Sequence, residues 1–237
     1  MKERVKLSAR EKILRMVMVA LFAALAYSAM FLFRIKVSFL TFDIKDCIIA
    51  IGGLLFGPVA AVVISAVVAV LEFITVSDTG VYGLLMNFVS SAAFACVAAL
   101  IYRIRRDLLG AVIGLVSAVF SVTAVMLLMN LLVTPLFTGW EIAAVAEILP
   151  TLILPFNLTK ATMNAALVLI LYKPVSTAIR YARVKLPGGG DKVEVRRGDV
   201  RTNVLMTLAG LLLVAASLIL FFVLMGGHIE WFVKIGA

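Results

Sequence analysis

The sequence predicts an all-α integral membrane protein, a six-helix body followed by one additional C-terminal transmembrane helix. Three observations predict it. Of 237 residues, 64% are hydrophobic and 15% charged, against about 45–50% and about 25% in a soluble domain, and the mean hydropathy is +1.15. The apolar residues gather in separable runs that fill most of the chain, each near the ~20 residues a helix needs to cross a bilayer. The net charge of +9, from 22 Lys and Arg against 13 Asp and Glu, then suits loops beside anionic lipid better than a nucleic-acid surface. Two cysteines, Cys47 and Cys96, in apolar surroundings and a single His228 argue against a disulfide framework, a Cys/His metal site or a histidine triad.

Taking the elements in order, a basic opening of fifteen residues precedes an apolar run over 16–33. That run is long enough to span, so it reads as helix 1 (13–33) rather than a cleaved signal. The next run contains Gly57-Pro58, where a proline without an amide and a glycine tolerant of unusual dihedrals permit a reversal. Charge supports that reversal. With a hairpin there, seventeen of the 22 Lys and Arg lie on the cytoplasmic side; a single long helix would turn the two richest later loops outward, against the positive-inside rule. The arms become helices 2 (46–56) and 3 (58–74), both short of the ~30 Å hydrocarbon core. Helices 4 (82–102), 5 (108–134) and 6 (151–173) follow, and helix 7 spans 203–225. The N-terminus is then cytoplasmic and the C-terminus outside. Residues 1–175 form the body and 176–202, with Gly188-Gly189-Gly190, a flexible cytoplasmic linker from which helix 7 need not pack on that body. Residues 226–237 are a short outside tail.

Polar residues within spans are costly and are functional candidates by default. At about 100° per residue, Asn157, Lys160 and Asn164 fall within an arc of about 60° on helix 6. This stripe, starting just after Pro155 near the outer surface, suits a pocket for a neutral polar heterocycle or a polyol, since two amides and an ammonium supply donors and acceptors. The competing reading has Lys160 neutralising an intramembrane acid such as Glu72 while the asparagines bridge helices. Asn130, near the outer end of helix 5, either faces the same pocket or packs between helices. The loop Phe39-Leu40-Thr41-Phe42-Asp43 either caps a flat ligand or anchors at the interface. Helix 1 carries Ala20, Ala24 and Ser28, and helix 5 carries Gly110, Gly114 and Ala118. Such small-residue stripes permit close helix approach, and from the residues alone packing within the chain is the better reading of both.

Read together, Phe39 to Asp43, then Ile51-Gly52-Gly53-Leu54-Leu55-Phe56-Gly57-Pro58, Asn87-Phe88, Asn130 with Thr134-Pro135, and Leu154-Pro155-Phe156-Asn157-Leu158-Thr159-Lys160 form a familiar order. The chain resembles the substrate-binding S components of energy-coupling factor (ECF) vitamin transporters, and within them the riboflavin-specific RibU type, over about residues 13–175. The resemblance implies a six-helix S-component-like bundle with an outer vitamin pocket closed by the loop after helix 1. It also implies partners, a membrane T subunit and two ATPase subunits. Polar contacts to riboflavin carry over to Asn130, Asn157 and Lys160, and docking on the T subunit to Ala20 and Ala24. Asn164, Leu40, Thr41, Phe42 and Asp43 complete the candidate site. Riboflavin is expected as transported ligand, with no cofactor, metal or catalytic residue. Helix 7 departs from the family pattern of six helices.

Competing functions are an S component for flavin mononucleotide or another vitamin, and a self-sufficient ion-coupled carrier using Glu72 and Lys160 as its titratable pair. An intramembrane enzyme would need clustered carboxylates or an activated nucleophile in the spans, and the sequence offers neither.

Overall fold

The computed structural model describes residues 8–181 and 200–224. Helix α1 (Ala9–Leu32) leads into strands β1 (Arg34–Val37) and β2 (Leu40–Asp43), then α2 (Lys45–Phe56), α3 (Pro58–Thr75), α4 (Gly80–Ile104) and α5 (Leu108–Thr138). Helix α6 (Ile142–Ile148) runs through a single π-helical turn (Leu149–Ile153) into α7 (Leu154–Tyr181), and α8 (Val200–Leu224) closes the order. Among the described residues, five segments are long and apolar enough to cross a membrane: Ala9–Leu32, Pro58–Thr75, Gly80–Ile104, Leu108–Thr138 and Ile142–Tyr172. The protein is a multi-pass membrane protein.

Local chemistry sets the helix ends. Ser8 and Glu11 form a reciprocal capping box at the start of α1, satisfying amides that the helix itself cannot. Asp107 caps α5 by accepting from the Gly110 amide at 2.7 Å. The hydrogen bond from Arg105 and this amide hold the Asp107 carboxyl below the usual carboxylate range, so the cap stays ionised at neutral pH. The reversal expected at Gly57-Pro58 is present. Gly57 has φ 95° and ψ 171°, a region open essentially to glycine alone, and Arg15 donates to the Phe56 carbonyl at 2.6 Å. At the other end of the same helices Tyr27 donates to Thr75 at 2.8 Å, so α3 runs alongside α1 and α2 runs antiparallel to both. Nothing lies within 4 Å of a Cβ built on Gly57. Gly57→Ala should therefore cost only backbone strain, about 1–3 kcal/mol, read as a lower melting temperature of the detergent-purified protein with no change in its elution profile.

Helix α2 is enclosed by α1, α3, α4 and α7. Its residues are nearly all buried, as a helix apolar all round requires; at ~1.5 Å per residue its twelve residues reach only ~18 Å. Helix α1 turns Met18, Phe22, Ala23, Ala26 and Met30 inward and leaves Ile13, Val17, Leu21 and Leu25 exposed, the division expected of a helix between protein and lipid.

The structure differs from the sequence reading in four places. The loop over 34–43 is a β-hairpin pairing Arg34 with Asp43 and Val37 with Leu40, turned at Ser38 with φ 54°, so the chain is not wholly helical. Pro135 and Pro174 lie inside α5 and α7 rather than at their ends, a placement that membrane helices tolerate better than soluble ones. Part of the expected outer connection is helix α6. Helix α8, read as free to stand apart, packs antiparallel on α7: Gly210 meets Ile170 and the Ala166 carbonyl, and Phe221 meets Phe156 further along. The triple glycine and the C-terminal tail lie outside the described residues.

Candidate functional site

The hairpin, the α3–α4 turn, the end of α5 and the start of α7 meet at one end of the molecule and enclose a cavity of about 340 Å3, within the ~300–1,000 Å3 typical of ligand sites. Helix α4 contributes Gly83, Met86, Asn87 and Ser90, a spacing of i, i+3, i+4 and i+7 that presents one face. Phe39, Phe137, Phe156 and Met126 supply apolar wall, and Thr41, Asn157 and Lys160 supply polar groups. Arg34, Lys36 and Asp78 carry charge into the same lining, and Lys36 pairs with Asp78. A second void of about 10 Å3 touches Asp46, Ser90, Asn157, Lys160 and Asn164, room for about one water.

Beside the cavity five charged side chains meet away from water. Asp43, Lys45, Asp46, Glu72 and Lys160 are all buried. Asp43 Oδ2 accepts from Lys45 Nζ and Lys160 Nζ, each at 3.0 Å, and Lys45 Nζ pairs with Glu72 Oε1 at 2.8 Å. Lys160 Nζ also donates to the Thr41 carbonyl at 3.0 Å and lies 4.0 Å from Asp46 Oδ2. Ser91 donates to Asp46. Burying such charges costs several kcal/mol each unless they pair closely, and here each carboxylate has a lysine within 4.0 Å. Lys160 thereby ties α7 to β2, with Asn164 as the brace beneath it. The Asn164 Nδ2 donates to the Asp43 carbonyl at 3.0 Å, and its Oδ1 accepts from the Cys47 amide at 2.8 Å.

Residues 14–172 match the family described as the ECF transporter substrate-specific component. The chain belongs to this family. It is 26% identical over 176 residues to the riboflavin transporter RibU of Staphylococcus aureus (strain TCH60), covering 70% of this chain and 92% of that protein. It is 27% identical over 179 residues to the riboflavin transporter FmnP of Bacillus subtilis (strain 168), covering 69% of this chain and 94% of that one. Among solved structures, the S component of a bacterial ECF transporter matches with a TM-score of 0.60 at 25% identity, over 70% of this chain and 97% of the other. The protein is thus the substrate-binding S component of a transporter rather than an enzyme, and it works with an ECF module.

The S component's candidate residues separate into two groups. Asn157, Lys160, Leu40 and Thr41 line the cavity, and Asn157 Nδ2 donates back to the Ile153 carbonyl at 2.8 Å. Phe42, Asp43 and Asn130 lie outside its lining. Phe42 turns away toward Phe33, Phe156 and Phe221, and Asp43 sits in the charge network. Asn130 is fully buried within α5, donating to the Met126 carbonyl at 2.7 Å and accepting from Thr134 at 3.0 Å. Asn164 borders only the smaller void and braces the start of α2. The competing reading, Lys160 neutralising a buried acid while asparagines bridge helices, is met in part: the acid is Asp43 rather than Glu72, which pairs with Lys45, and Asn164 joins α7 to β2 and α2. The sequence reading missed Ser90, Met86 and Arg34, and it took Asn87 only as part of the family motif, not as a site residue. The one available signal was the polar pair Asn87 and Ser90 on one face of an otherwise apolar α4.

Proposed function

We propose that this S component captures riboflavin or a close flavin in the cavity under the hairpin and delivers it across the membrane with a T subunit and two ATPase subunits. The observation that carries this is the composition of the cavity. Aromatic and methionine walls beside a cluster of Asn87, Ser90, Asn157 and Lys160 suit a flat heterocycle with a polar edge, and two relatives at 26% and 27% identity are described as riboflavin transporters. Flavin mononucleotide is the second reading, favoured by Arg34 and Lys36 in the lining, which suit a phosphate. The self-sufficient carrier reading loses support because the chain belongs to the substrate-specific components of ECF transporters.

The two small-residue stripes behave differently. Gly114 faces the Ala98 backbone and Ala118 is buried, so the α5 stripe serves packing inside the chain. Ala20, Ala24 and Ser28 are exposed, a surface free for the T subunit. The distribution of basic residues supports a cytoplasmic N-terminus, an outward cavity and a crossing by α8. Asn157→Ala is expected to weaken riboflavin binding by about 1–3 kcal/mol through loss of a polar partner, measured by quenching of flavin fluorescence. Unchanged affinity in Asn157→Ala and in Asn87→Ala would move the ligand out of this cavity.

A further inference from the structure

We propose that α8 is a built-in clamp on the hairpin, with Phe221 as the positioning residue that holds the hairpin over the cavity. The hairpin does not share the main core of the bundle. Its apolar side chains Ile35, Val37, Leu40 and Phe42 bury into a separate cluster completed by Phe156 and Met163 from α7 and by Phe221 from α8. Phe42 is wholly buried and Phe221 is 1% exposed. Their ring centroids are 4.3 Å apart, with Phe156 5.8 Å from Phe42 on α7.

A two-stranded hairpin is at best marginally stable alone, so its position depends on what covers its apolar side. Phe42 lies between the Thr41 carbonyl and the Asp43 carboxylate, the two groups that hold Lys160. Moving Phe42 therefore moves both anchors, and with them the Leu40 and Thr41 lining of the cavity. The close seat of Gly210 against Ile170 and Ala166 fixes α8 on α7, and that seat sets where Phe221 arrives. The family match covers residues 14–172 and leaves α8 outside it.

The test is hydrogen exchange of the full-length protein in detergent without ligand, comparing wild type, Phe221→Ala, Phe221→Leu and, as a neighbour half open to the surroundings, Phe222→Ala. Phe221→Ala is expected to speed exchange of the amides over 34–43 at least about tenfold, roughly the population shift of a 1.4 kcal/mol change, and to leave 94–99 of α4 unchanged. Phe221→Leu should restore part of the protection, and Phe222→Ala should change nothing. Unaltered exchange over 34–43 would overturn the proposal, and so would a uniform rise through α4, which would make Phe221 an ordinary core residue. Because this readout needs no flavin, it stands or falls separately from the assignment of riboflavin. Where riboflavin does bind, its dissociation rate should rise in Phe221→Ala by a similar factor.

Discussion

Lys160→Met should be the most damaging single substitution in the protein, lowering the melting temperature sharply and reducing riboflavin affinity at least about tenfold. The native network holds two lysines, Lys45 and Lys160, against three carboxylates, Asp43, Asp46 and Glu72, for a formal charge of −1. Methionine at 160 keeps most of the volume and leaves −2, with Asp46 losing the lysine that lies 4.0 Å from it and the Thr41 carbonyl its donor. Breaking a buried pair by removing one partner costs about 3–5 kcal/mol. The second variant separates charge from shape. Lys160→Met with Asp43→Asn returns the formal charge to −1, since Lys45 keeps Glu72, and should recover at least half of the lost stability. Melting curves of the four proteins of this cycle give the coupling directly; a Lys160→Met protein as stable as wild type would show that the network does not hold the hairpin.

The next largest effect is expected on transport rather than on folding. Ala20→Trp with Ala24→Trp places two indoles on an exposed face of α1, where no contact within the described chain is lost. Close approach of another helix is blocked. The double variant should bind riboflavin as wild type does, while uptake by whole cells falls to background and the module no longer co-purifies. Ala26→Trp is the contrast, because Ala26 is fully buried in the core and overpacking there costs stability itself. Normal uptake by the double variant would remove the docking role from this face.

Parts of this architecture were legible in the sequence because single residues or simple periods carry them. Gly57-Pro58 announced the reversal, and the charge count fixed which of two topologies it belonged to. The 100° rule brought Asn157 and Lys160 to one face of α7, and both line the cavity. What was not legible depends on contacts between distant positions. Lys160 finds Asp43, 117 residues away, and Glu72 finds Lys45; a periodicity argument ranks intramembrane acids by burial and has no means of pairing them. The hairpin did leave a trace, with Ile35 and Val37 flanking Lys36 and Leu40 and Phe42 flanking Thr41, an alternation of period two that a run of only four residues per strand makes weak. Pro135 and Pro174 were read by the rules of soluble helices, and both helices continue through them. Linker length suggested an independent α8, yet the length of a tether says nothing about affinity at its end, which Gly210 and Phe221 decide.

Whether the cavity under the hairpin holds a flavin is tested most directly by the visible spectrum of the full-length protein purified in detergent from cells supplied with riboflavin, followed by titration of the stripped protein with riboflavin. The expected result is a yellow preparation carrying close to one flavin per chain, and saturable quenching of added riboflavin that weakens in Asn157→Ala. A colourless preparation that leaves the fluorescence of added riboflavin and flavin mononucleotide unchanged would contradict it.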